Sequence, residues 1–439
     1  MENRVFDENK LMSKVRWKIV PYIMFLYIIA MVDRVNIGFA ALQMNKDLGI
    51  GATAFGMLAG IFFIAYFFFE VPSNVIMHKV GARRWIARIL ISWGIITIIT
   101  GFAETVTQIG VMRFLLGVAE AGFHPCMILY LTFWFPAKHL AKAVSLYVCG
   151  MAIANILVGP LSTWIMDNVS WYAMAGWRWM FVLEGIPAVL MGVVTLFVMT
   201  DRPEQAKFLT PAEKNWLVAE LKKEHEAKAA KLQISKWAVF GQFRVWQISW
   251  CHICYVIANY GLGMWVPQIL RELSKVLTNT QIGLISTAPY ICGVAMMVAV
   301  ARHSDKTLER RWHIAMPIFM SFFSLIALTM TSNLWLSIFF ICVSTAGFYG
   351  FIGTFWTLPH MFLSEGTAAV GIAIISSVGN LGGFFGPYFV GFLKDATGST
   401  DAGMYVLASF AVLAALSILA IRKKAGEGQD LTAGTATGA

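Results

Sequence analysis

The sequence predicts an all-α membrane protein with twelve transmembrane helices. Of its 439 residues, 58% are hydrophobic and only 13% are charged, a balance that is not typical of soluble domains. The apolar residues form continuous runs of about 20 residues or more, the length that a helix needs to cross a bilayer. The runs do not alternate with polar residues as the strands of an outer-membrane barrel do, so a β-barrel is excluded.

Twelve apolar runs can be assigned, six on each side of a long polar segment. The predicted spans, with ends that are uncertain by about 2–4 residues, are 18–41, 53–77, 86–104, 108–135, 142–166, 178–200, 245–271, 281–301, 313–331, 334–358, 368–393 and 402–421. We expect residues 1–200 to form an N-terminal six-helix bundle and residues 245–424 to form a C-terminal six-helix bundle.

The polar segment 201–244 is interpreted as a cytoplasmic linker between the two bundles. Within it, Thr210-Pro-Ala-Glu213 has the pattern of a capping box with proline at the first helical position. The following residues are helical in composition and predict an amphipathic helix on the membrane face. Residues 425–439 are rich in Gly, Ala and Thr, and we expect a disordered tail.

Lysine and arginine are distributed unequally between alternate loops. If the N-terminus lies in the cytoplasm, about 27 of these residues fall in cytoplasmic segments and about 4 in external loops, the bias that orients bacterial membrane proteins. These loops account for the net charge of +10, so we expect no nucleic-acid partner. The prediction is a monomeric, multi-pass protein of the bacterial cytoplasmic membrane, surrounded by lipid, with both termini cytoplasmic.

The two halves of the chain also resemble each other. The loop after the second span contains Arg83-Arg84-Trp85, and the loop after the eighth contains Arg310-Arg311-Trp312. The same offset aligns the start of the first span with the start of the seventh. Two six-helix bundles related by such a repeat, with a substrate site between them at mid-depth, are a known plan of transporters.

Asp33 and Arg34 lie inside the first apolar run, which reads IVPYIMFLYIIAMVDRVNIGFAAL from Ile19. A charge at the middle of a bilayer costs about 2.5–3.5 kcal/mol on insertion scales, so each residue needs a partner or a polar cavity. Adjacent residues point roughly 100° apart on a helix and cannot simply neutralise each other. They form either a buried structural ion pair with other helices or a midplane site where the arginine meets an anion and the carboxylate carries a proton. We favour the second interpretation.

The fourth span contains Glu120, seven residues after Arg113 and one turn before His124. Residues seven apart share one helix face and are separated by about 10 Å. Apolar surroundings disfavour an ionised carboxylate and a nearby arginine favours it, so moving the arginine or admitting an anion could switch the proton. We therefore predict Asp33 and Glu120 as proton-coupling residues and Arg34, Arg113 and His124 as substrate contacts. The alternative for the histidine is hydrogen-bonded packing.

Other side chains within the spans could line a cavity. The candidates for substrate contact are Tyr66, His252, Tyr260, Trp356, Ser376 and Asn380. Glu70, Arg178 and Glu184 lie nearer the ends of spans and are interpreted as structural pairs or as groups that reach the membrane surface.

The sequence indicates neither an enzyme nor a metal or cofactor site. All six cysteines lie in apolar segments and are interpreted as small buried hydrophobic residues. Cys251 and Cys254 have CxxC spacing without a second pair, which argues against a metal or redox role. The sequence has neither an HExxH motif nor a Ser-His-Asp set, and it has no pore-loop filter of the kind that channels use.

Several segments together resemble the anion:cation symporter family of the major facilitator superfamily, and the similarity covers all twelve spans. These segments are VDRVNIGFAALQMNKDLGI, FEVPSN, VGARRWIARI, RFLLGVAEAGFHP, LTFWFP, GWRWMFVLEGIPAV and SVGNLGGFFGP. The chain is similar to bacterial tartrate-transporter-like members and to the 4-hydroxyphenylacetate and sugar-acid permeases. This resemblance implies the major facilitator fold and H⁺-driven uptake of a small organic anion.

By motif match, Asp33 and Glu120 resemble the protonatable carboxylates of that family, Arg34 its contact to the substrate carboxylate, and Arg113 the arginine coupled to the helix-four glutamate. The expected substrate is tartrate, a sugar acid or another hydroxy- or dicarboxylate. Uptake of an aromatic carboxylate, such as a 4-hydroxyphenylacetate- or phthalate-like acid, is the alternative on the same scaffold. The sequence also leaves open a nutrient sensor on a transporter fold, a uniporter and an antiporter.

Overall fold

The computed structural model describes residues 7–231, 236–362 and 365–421, and nearly all of these residues are helical. The N-terminal half contains α1 (Glu8–Asp47), α2 (Ala52–Val80), α3 (Ala82–Thr100), α4 (Val106–Glu120), α5 (Phe123–Thr132), α6 (Ala137–Asn168) and α7 (Gly176–Val198). The C-terminal half contains α9 (Phe243–Leu273), α10 (Asn279–Ile285), α11 (Thr287–Thr307), α12 (Arg311–Thr329), α13 (Leu334–Phe355), α14 (Leu358–Phe362), α15 (Glu365–Asn380), α16 (Gly382–Thr397) and α17 (Asp401–Leu419). Between the halves lies α8 (Pro211–Lys231), and short 3₁₀ turns occur at Trp171–Ala173, Pro203–Gln205 and Lys236–Gly241.

The described residues contain eleven segments that are long and apolar enough to cross a membrane. Three of them consist of two helices in succession, namely α4 with α5, α10 with α11, and α15 with α16. The remaining predicted span corresponds to α3, which has 19 residues and carries Arg83, Arg84 and Arg88 in its first two turns. The all-helical membrane fold predicted from the sequence is therefore confirmed, and α3 is the predicted span that is not among the eleven segments.

The fourth span is broken, where the sequence predicts one continuous helix. Its first part, α4, ends at Glu120, and Gly122 adopts the left-handed conformation at φ +82° before α5 begins. A Cβ atom at residue 122 would also lie 2.6 Å from Ser73 Oγ of α2. Glycine is required here because an L side chain would be strained in this conformation and would collide with Ser73.

The helix ends define two sides of the molecule. The side that carries the start of α1, the linker and the end of α17 is called the terminal side. The other, called the opposite side, carries the turns at residues 48–51, 101–105, 169–175, 274–278, 330–333 and 398–400. Large aromatic side chains are buried in both halves, including Trp93 and Trp134 in the N-terminal half and Trp265 and Phe351 in the C-terminal half.

The two halves are joined by polar contacts on the opposite side. The Asp395 carboxylate at the end of α16 accepts hydrogen bonds from the backbone N–H groups of Ala52 (3.2 Å) and Thr53 (2.7 Å), at the start of α2. The Asp167 carboxylate at the end of α6 accepts hydrogen bonds from the first residues of α10, Asn279 and Thr280. Each carboxylate thus caps a helix of the other half, and these contacts close the opposite side.

The start of the linker helix is held by its own sequence and by α1. Thr210 and Glu213 form the reciprocal hydrogen bonds of a capping box, at 3.3 Å and 2.8 Å. The Lys14 ammonium of α1 donates to the Glu213 carboxylate at 2.8 Å. This contact attaches the first turn of α8 to the N-terminal half. The tail predicted for residues 425–439 lies outside the described residues.

Candidate functional site

Asp33 is buried in the middle of α1 and is surrounded by hydrogen-bond donors. Its carboxylate accepts from the Trp93 indole N–H, from Thr97 Oγ1 at 2.5 Å and from Asn36 Nδ2 at 3.0 Å. The indole and the amide nitrogen can only donate, so two of these three partners favour the ionised carboxylate. Asp33 therefore lies in a site that can stabilise a negative charge or accept a proton.

Arg34 points to a different helix and forms an ion pair with Glu120. Its guanidinium also lies over the rings of Phe62 and Tyr66, at 5.2 Å and 5.1 Å from their centroids. Glu120 is fully buried and is the last residue of α4. The negative end of the helix dipole disfavours a carboxylate at that position, so its ionised form depends on Arg34.

Arg113 is buried on the face of α4 that it shares with Glu120, but its Nε and Nη2 atoms have no hydrogen-bond partner among the described residues. Its guanidinium lies 5.3 Å from the centroid of the Phe62 ring. The sequence suggests Arg113 as the partner of Glu120, whereas the structure pairs Glu120 with Arg34. The reason is that the side chain of Arg34 reaches across from α1 to the end of α4.

His124 follows the break in the fourth span, within the first turn of α5. One ring nitrogen lies 3.3 Å from the Tyr147 hydroxyl, and its ring is 5.2 Å from the ring of Tyr27. The break changes the direction of the chain between Glu120 and His124, so the two residues are not on one regular helix face. His124 joins an aromatic group with Tyr27 and Tyr147 beside the arginine–glutamate pair.

In the C-terminal half, His252 of α9 and Trp356, which follows α13, belong to one aromatic group. The Nδ1 atom of His252 lies 3.1 Å from the Ile375 carbonyl oxygen. Since a carbonyl can only accept, Nδ1 carries the proton. The His252 ring packs 5.1 Å from the rings of Phe355 and Trp356. Tyr260 contacts the other half, with its ring 4.7 Å from that of Phe63.

Ser376 and Asn380 are half-buried on α15. The hydroxyl next to them, that of Ser377, donates to the Glu70 carboxylate of α2 at 3.4 Å. Asn380 lies beside the same carboxylate. Glu70 therefore links α2 of the N-terminal half to α15 of the C-terminal half.

Several polar residues of the site are not among those predicted from the sequence. Asn36, Trp93 and Thr97 contact Asp33, and Glu184 contacts Asn36. The charge of Glu184 within an apolar span is a sequence signal that could have identified it. Among the described residues, no group of three or more His, Cys, Asp or Glu side chains is arranged to hold a metal ion.

The arrangement brings together two guanidinium groups and two carboxylates in the N-terminal half, facing aromatic and polar side chains of the C-terminal half. An anion that approaches Arg34 competes with Glu120 for the same guanidinium. The carboxylate that loses this partner can be buried at low cost only if it binds a proton. The site can therefore couple the binding of an anion to the binding of a proton.

The sequence of the chain matches the model of the Major Facilitator Superfamily over residues 23–387, and a second match covers residues 248–436. A protein of Agrobacterium vitis that is named as a proposed tartrate transporter is 44% identical over 420 residues, which cover 96% of each chain. The inner membrane transport protein RhmT of Escherichia coli K12 is 34% identical over 414 residues, covering 94% of this chain and 96% of RhmT.

Two solved structures have the same fold. A D-xylose–proton symporter superposes with a TM-score of 0.73 at 15% identity, covering 94% of this chain and 99% of the symporter. A bacterial homologue of the human lysosomal transporter Spinster, in an inward-facing and unoccupied conformation, has a TM-score of 0.71 at 17% identity and covers 94% of both chains. With two helical halves, a charged site at mid-depth and these relatives, the chain belongs to the major facilitator superfamily and is a multi-pass secondary transporter, not an enzyme.

Proposed function

We propose that the chain is a proton-coupled symporter that imports a small organic anion, such as tartrate, a sugar acid or another hydroxy- or dicarboxylate. The observation that carries this proposal is the buried ion pair between Arg34 and Glu120. Arginine binds a carboxylate through two parallel hydrogen bonds, and a substrate carboxylate can replace that of Glu120. The name of the Agrobacterium vitis relative, which is 44% identical, supports a hydroxy-dicarboxylate as the substrate.

The coupling follows from the environment of the two proton-coupling candidates. Glu120 loses its only ion-pair partner in the described residues when a substrate binds Arg34, and it then takes up a proton from water. Asp33 keeps its three donors and takes a proton from water before the cavity closes, because its ionised form is costly once water has left. The loaded transporter thereby carries a site that is close to neutral, which lowers the cost of moving it through the membrane interior.

The remaining candidates bind the rest of the substrate. Tyr66, Arg113 and His124 belong to the N-terminal half, while His252, Tyr260, Trp356, Ser376 and Asn380 belong to the C-terminal half. Contacts from both halves to one ligand favour closure of the halves around it. The rings around His252 equally suit an aromatic carboxylate, which is the second candidate substrate.

The proposed location is the bacterial cytoplasmic membrane, with both termini in the cytoplasm and a monomer as the functional unit. The excess of lysine and arginine on the terminal side supports this orientation. In that orientation, the opposite side of the molecule faces outward and the terminal side faces the cytoplasm.

The test is transport by purified protein in proteoliposomes. A panel of labelled dicarboxylates, sugar acids and aromatic acids is offered with and without an inward pH gradient. For the accumulated acid, Asp33→Asn and Glu120→Gln should abolish gradient-driven accumulation, so that the internal concentration stops at about the external one. Counterflow, which needs no net proton movement, should persist in both variants.

Substrate binding should separate Glu120 from Arg34. Glu120→Gln removes the competitor for the guanidinium and should leave affinity unchanged or raise it. Arg34→Lys keeps the charge but loses the planar fork, and it should weaken binding. If both neutral carboxyl variants still concentrate the acid against its gradient, neither residue couples protons and the proposal is wrong.

A further inference from the structure

Besides Asp33, Glu70 and Glu120, the N-terminal half buries a fourth carboxyl group, that of Glu184. It lies in α7 with 6% of its surface exposed. Its carboxyl accepts a hydrogen bond from Ser162 Oγ of α6 at 2.6 Å and one from Asn36 Nδ2 of α1 at 2.8 Å. In the part of the chain that the structure describes, no lysine, arginine or histidine forms an ion pair with it.

Asn36 connects Glu184 to the site. The same amide nitrogen donates to Asp33 Oδ1 at 3.0 Å and to Glu184 Oε2 at 2.8 Å. An amide nitrogen has two hydrogens and cannot accept, so each carboxyl receives one of them. The two carboxyls are therefore held on either side of one NH₂ group, where a charge on one disfavours a charge on the other.

Three helices pack against α7, and two of them direct polar groups to Glu184. From α1 these are Asp33 and Asn36, and from α6 the Ser162 hydroxyl. The third helix, α3, packs closely against α7 at the glycine that follows Glu184 and directs its polar side chains to Asp33 instead. The nearest cation on α7 itself, Arg178, donates to the carbonyl oxygens at the end of α3, away from Glu184.

The charges of the buried cluster do not balance without a proton. Glu70 is bonded to Ser377 of α15, and the rest of the cluster contains three carboxyls, Asp33, Glu120 and Glu184, but two guanidinium groups, Arg34 and Arg113. An unpaired charge in such an environment is strongly unfavourable. Glu120 has Arg34 as its partner, and Asp33 has three donors, whereas Glu184 has two hydrogen bonds and no cation. The additional proton is best accommodated on Glu184.

The cluster extends from the site toward the opposite side. Gln43 of α1 donates to the Met166 carbonyl and accepts from the Trp177 N–H, so these three residues of α1, α6 and α7 lie at one level. Each helix rises about 1.5 Å per residue. Measured along its own helix from that level, Ser162 lies about 6 Å, Glu184 about 10 Å and Asp33 about 15 Å away. Glu184 thus lies between Asp33 and the opposite side.

We propose that Glu184 is a third proton-binding site of this transporter, coupled to Asp33 through Asn36. In the conformation described here Glu184 holds a proton and Asp33 is ionised. When Asp33 takes a proton from water, its negative charge beside Asn36 is lost, and Glu184 can release its own proton to water while both hydrogens of the amide remain bonded. The role in transport rests on the proposed proton coupling, but the binding of the proton does not.

The test counts protons on purified full-length protein without substrate. Protein is moved from pH 8.5 to pH 5.5 in weak buffer, and the protons taken up are measured with a pH indicator. Glu184→Gln should take up about one proton fewer per chain than the wild type. Glu104→Gln is the matched control, because it makes the same substitution at a residue that is exposed in a turn of the opposite side.

An infrared band of a protonated carboxyl group should disappear in Glu184→Gln and remain in the control. If Glu184→Gln does not fold, Ser162→Ala keeps the carboxyl and removes one donor, and it should shift the midpoint of proton uptake to higher pH. Equal proton uptake and equal infrared spectra in the wild type and Glu184→Gln would overturn the inference. An unshifted midpoint in Ser162→Ala, where only that variant folds, would overturn it as well.

Transport distinguishes this inference from the proposed function. In proteoliposomes, the ratio of protons to substrate should rise by one in Glu184→Gln, because in the wild type Glu184 carries one proton back with the empty transporter. If wild-type transport is independent of the pH gradient while Glu184 still titrates, the proposed proton coupling fails and the proton-binding site stands. If transport is proton-coupled and Glu184→Gln takes up as many protons as the wild type, the inference fails and the proposed function stands.

Discussion

Replacing Asp167 by alanine should weaken the closure of the opposite side. The Asp167 carboxylate belongs to α6 of the N-terminal half and accepts three hydrogen bonds from the start of α10 in the C-terminal half. They come from Asn279 Nδ2 at 2.6 Å and from the N–H and Oγ1 of Thr280, both at 2.7 Å. These bonds cannot persist when the two halves separate on that side.

The magnitude follows from the kind of contact. Loss of a capping side chain costs about 0.5–2 kcal/mol, and an exposed contact such as this one falls in the middle of that range because water replaces part of it. A loss of about 1–1.5 kcal/mol changes an equilibrium about 5- to 12-fold. The ratio of the closed to the open opposite side should fall by that factor. The equivalent contact of Asp395 with α2 remains, so closure is weakened rather than abolished.

The assay is a distance measurement by pulsed electron paramagnetic resonance. Spin labels are attached to Glu104→Cys and Ser332→Cys in a cysteine-free background, since both positions are exposed on the opposite side, one in each half. Asp47→Ala is the matched control. Asp47 also lies on that side, but its carboxylate accepts from the Trp177 indole at 2.8 Å within the N-terminal half, so its loss should leave the distance between the halves unchanged.

The expected result is a larger fraction of long distances in Asp167→Ala than in the parent and the control. An unchanged distribution would show that the three hydrogen bonds contribute nothing to closure. An equal change in Asp47→Ala would show that any lost carboxylate on this side has the same effect. Either result would refute the assignment of Asp167 as a contact that holds the halves together.

Two further predictions concern the break in the fourth span and the linker. Gly122→Ala should destabilise the protein by about 1–3 kcal/mol, because of the left-handed backbone and the collision with Ser73, and its thermal unfolding temperature should fall. Partial burial opposes ionisation of Glu213, but hydrogen bonds from Lys14 and from the first turn of α8 outweigh this and lower its pKa. The contact between α8 and α1 should therefore persist above the ordinary glutamate pKa and be lost as the pH falls through the lowered value. This can be checked by measuring the hydrogen-exchange protection of the first turn of α8 between pH 7 and 3. The protection should fall with the pH in the wild type, and this dependence should be absent in Lys14→Gln.

The spans could be predicted from the sequence because a bilayer imposes a length and a composition on every crossing helix. The ends of the helices could be predicted less well. For example, α1 begins at Glu8, ten residues before the predicted span 18–41, since Asp7 caps a polar segment that continues the same helix. The break at Gly122 could not be predicted, because its left-handed conformation depends on the approach of Ser73 from another helix.

The buried charged residues could be identified from the sequence, but their pairs could not be assigned. Charges within apolar spans identify Asp33, Arg34 and Glu120 as members of a site, since the membrane interior tolerates such groups only with partners. Which arginine meets Glu120 depends on the packing of α1 against α4, and both Arg34 and Arg113 satisfy the local pattern. Glu184 was interpreted as a structural residue for the same reason. Its link to Asp33 through Asn36 depends on the packing of α1 against α7.

The closed opposite side has a consequence for how affinity is measured. In this conformation 12% of the Arg34 side chain is exposed, and because Asp167 and Asp395 join the halves on the opposite side, a ligand would have to approach it from the terminal side. Equilibrium binding to purified protein in this state therefore reports the affinity of the site as it faces that compartment. The concentration that half-saturates uptake depends instead on the site as it faces the other compartment. The two constants can differ widely in the same protein, and a ligand that binds tightly in detergent can still be a poor competitor of uptake when it is added to the outside of cells.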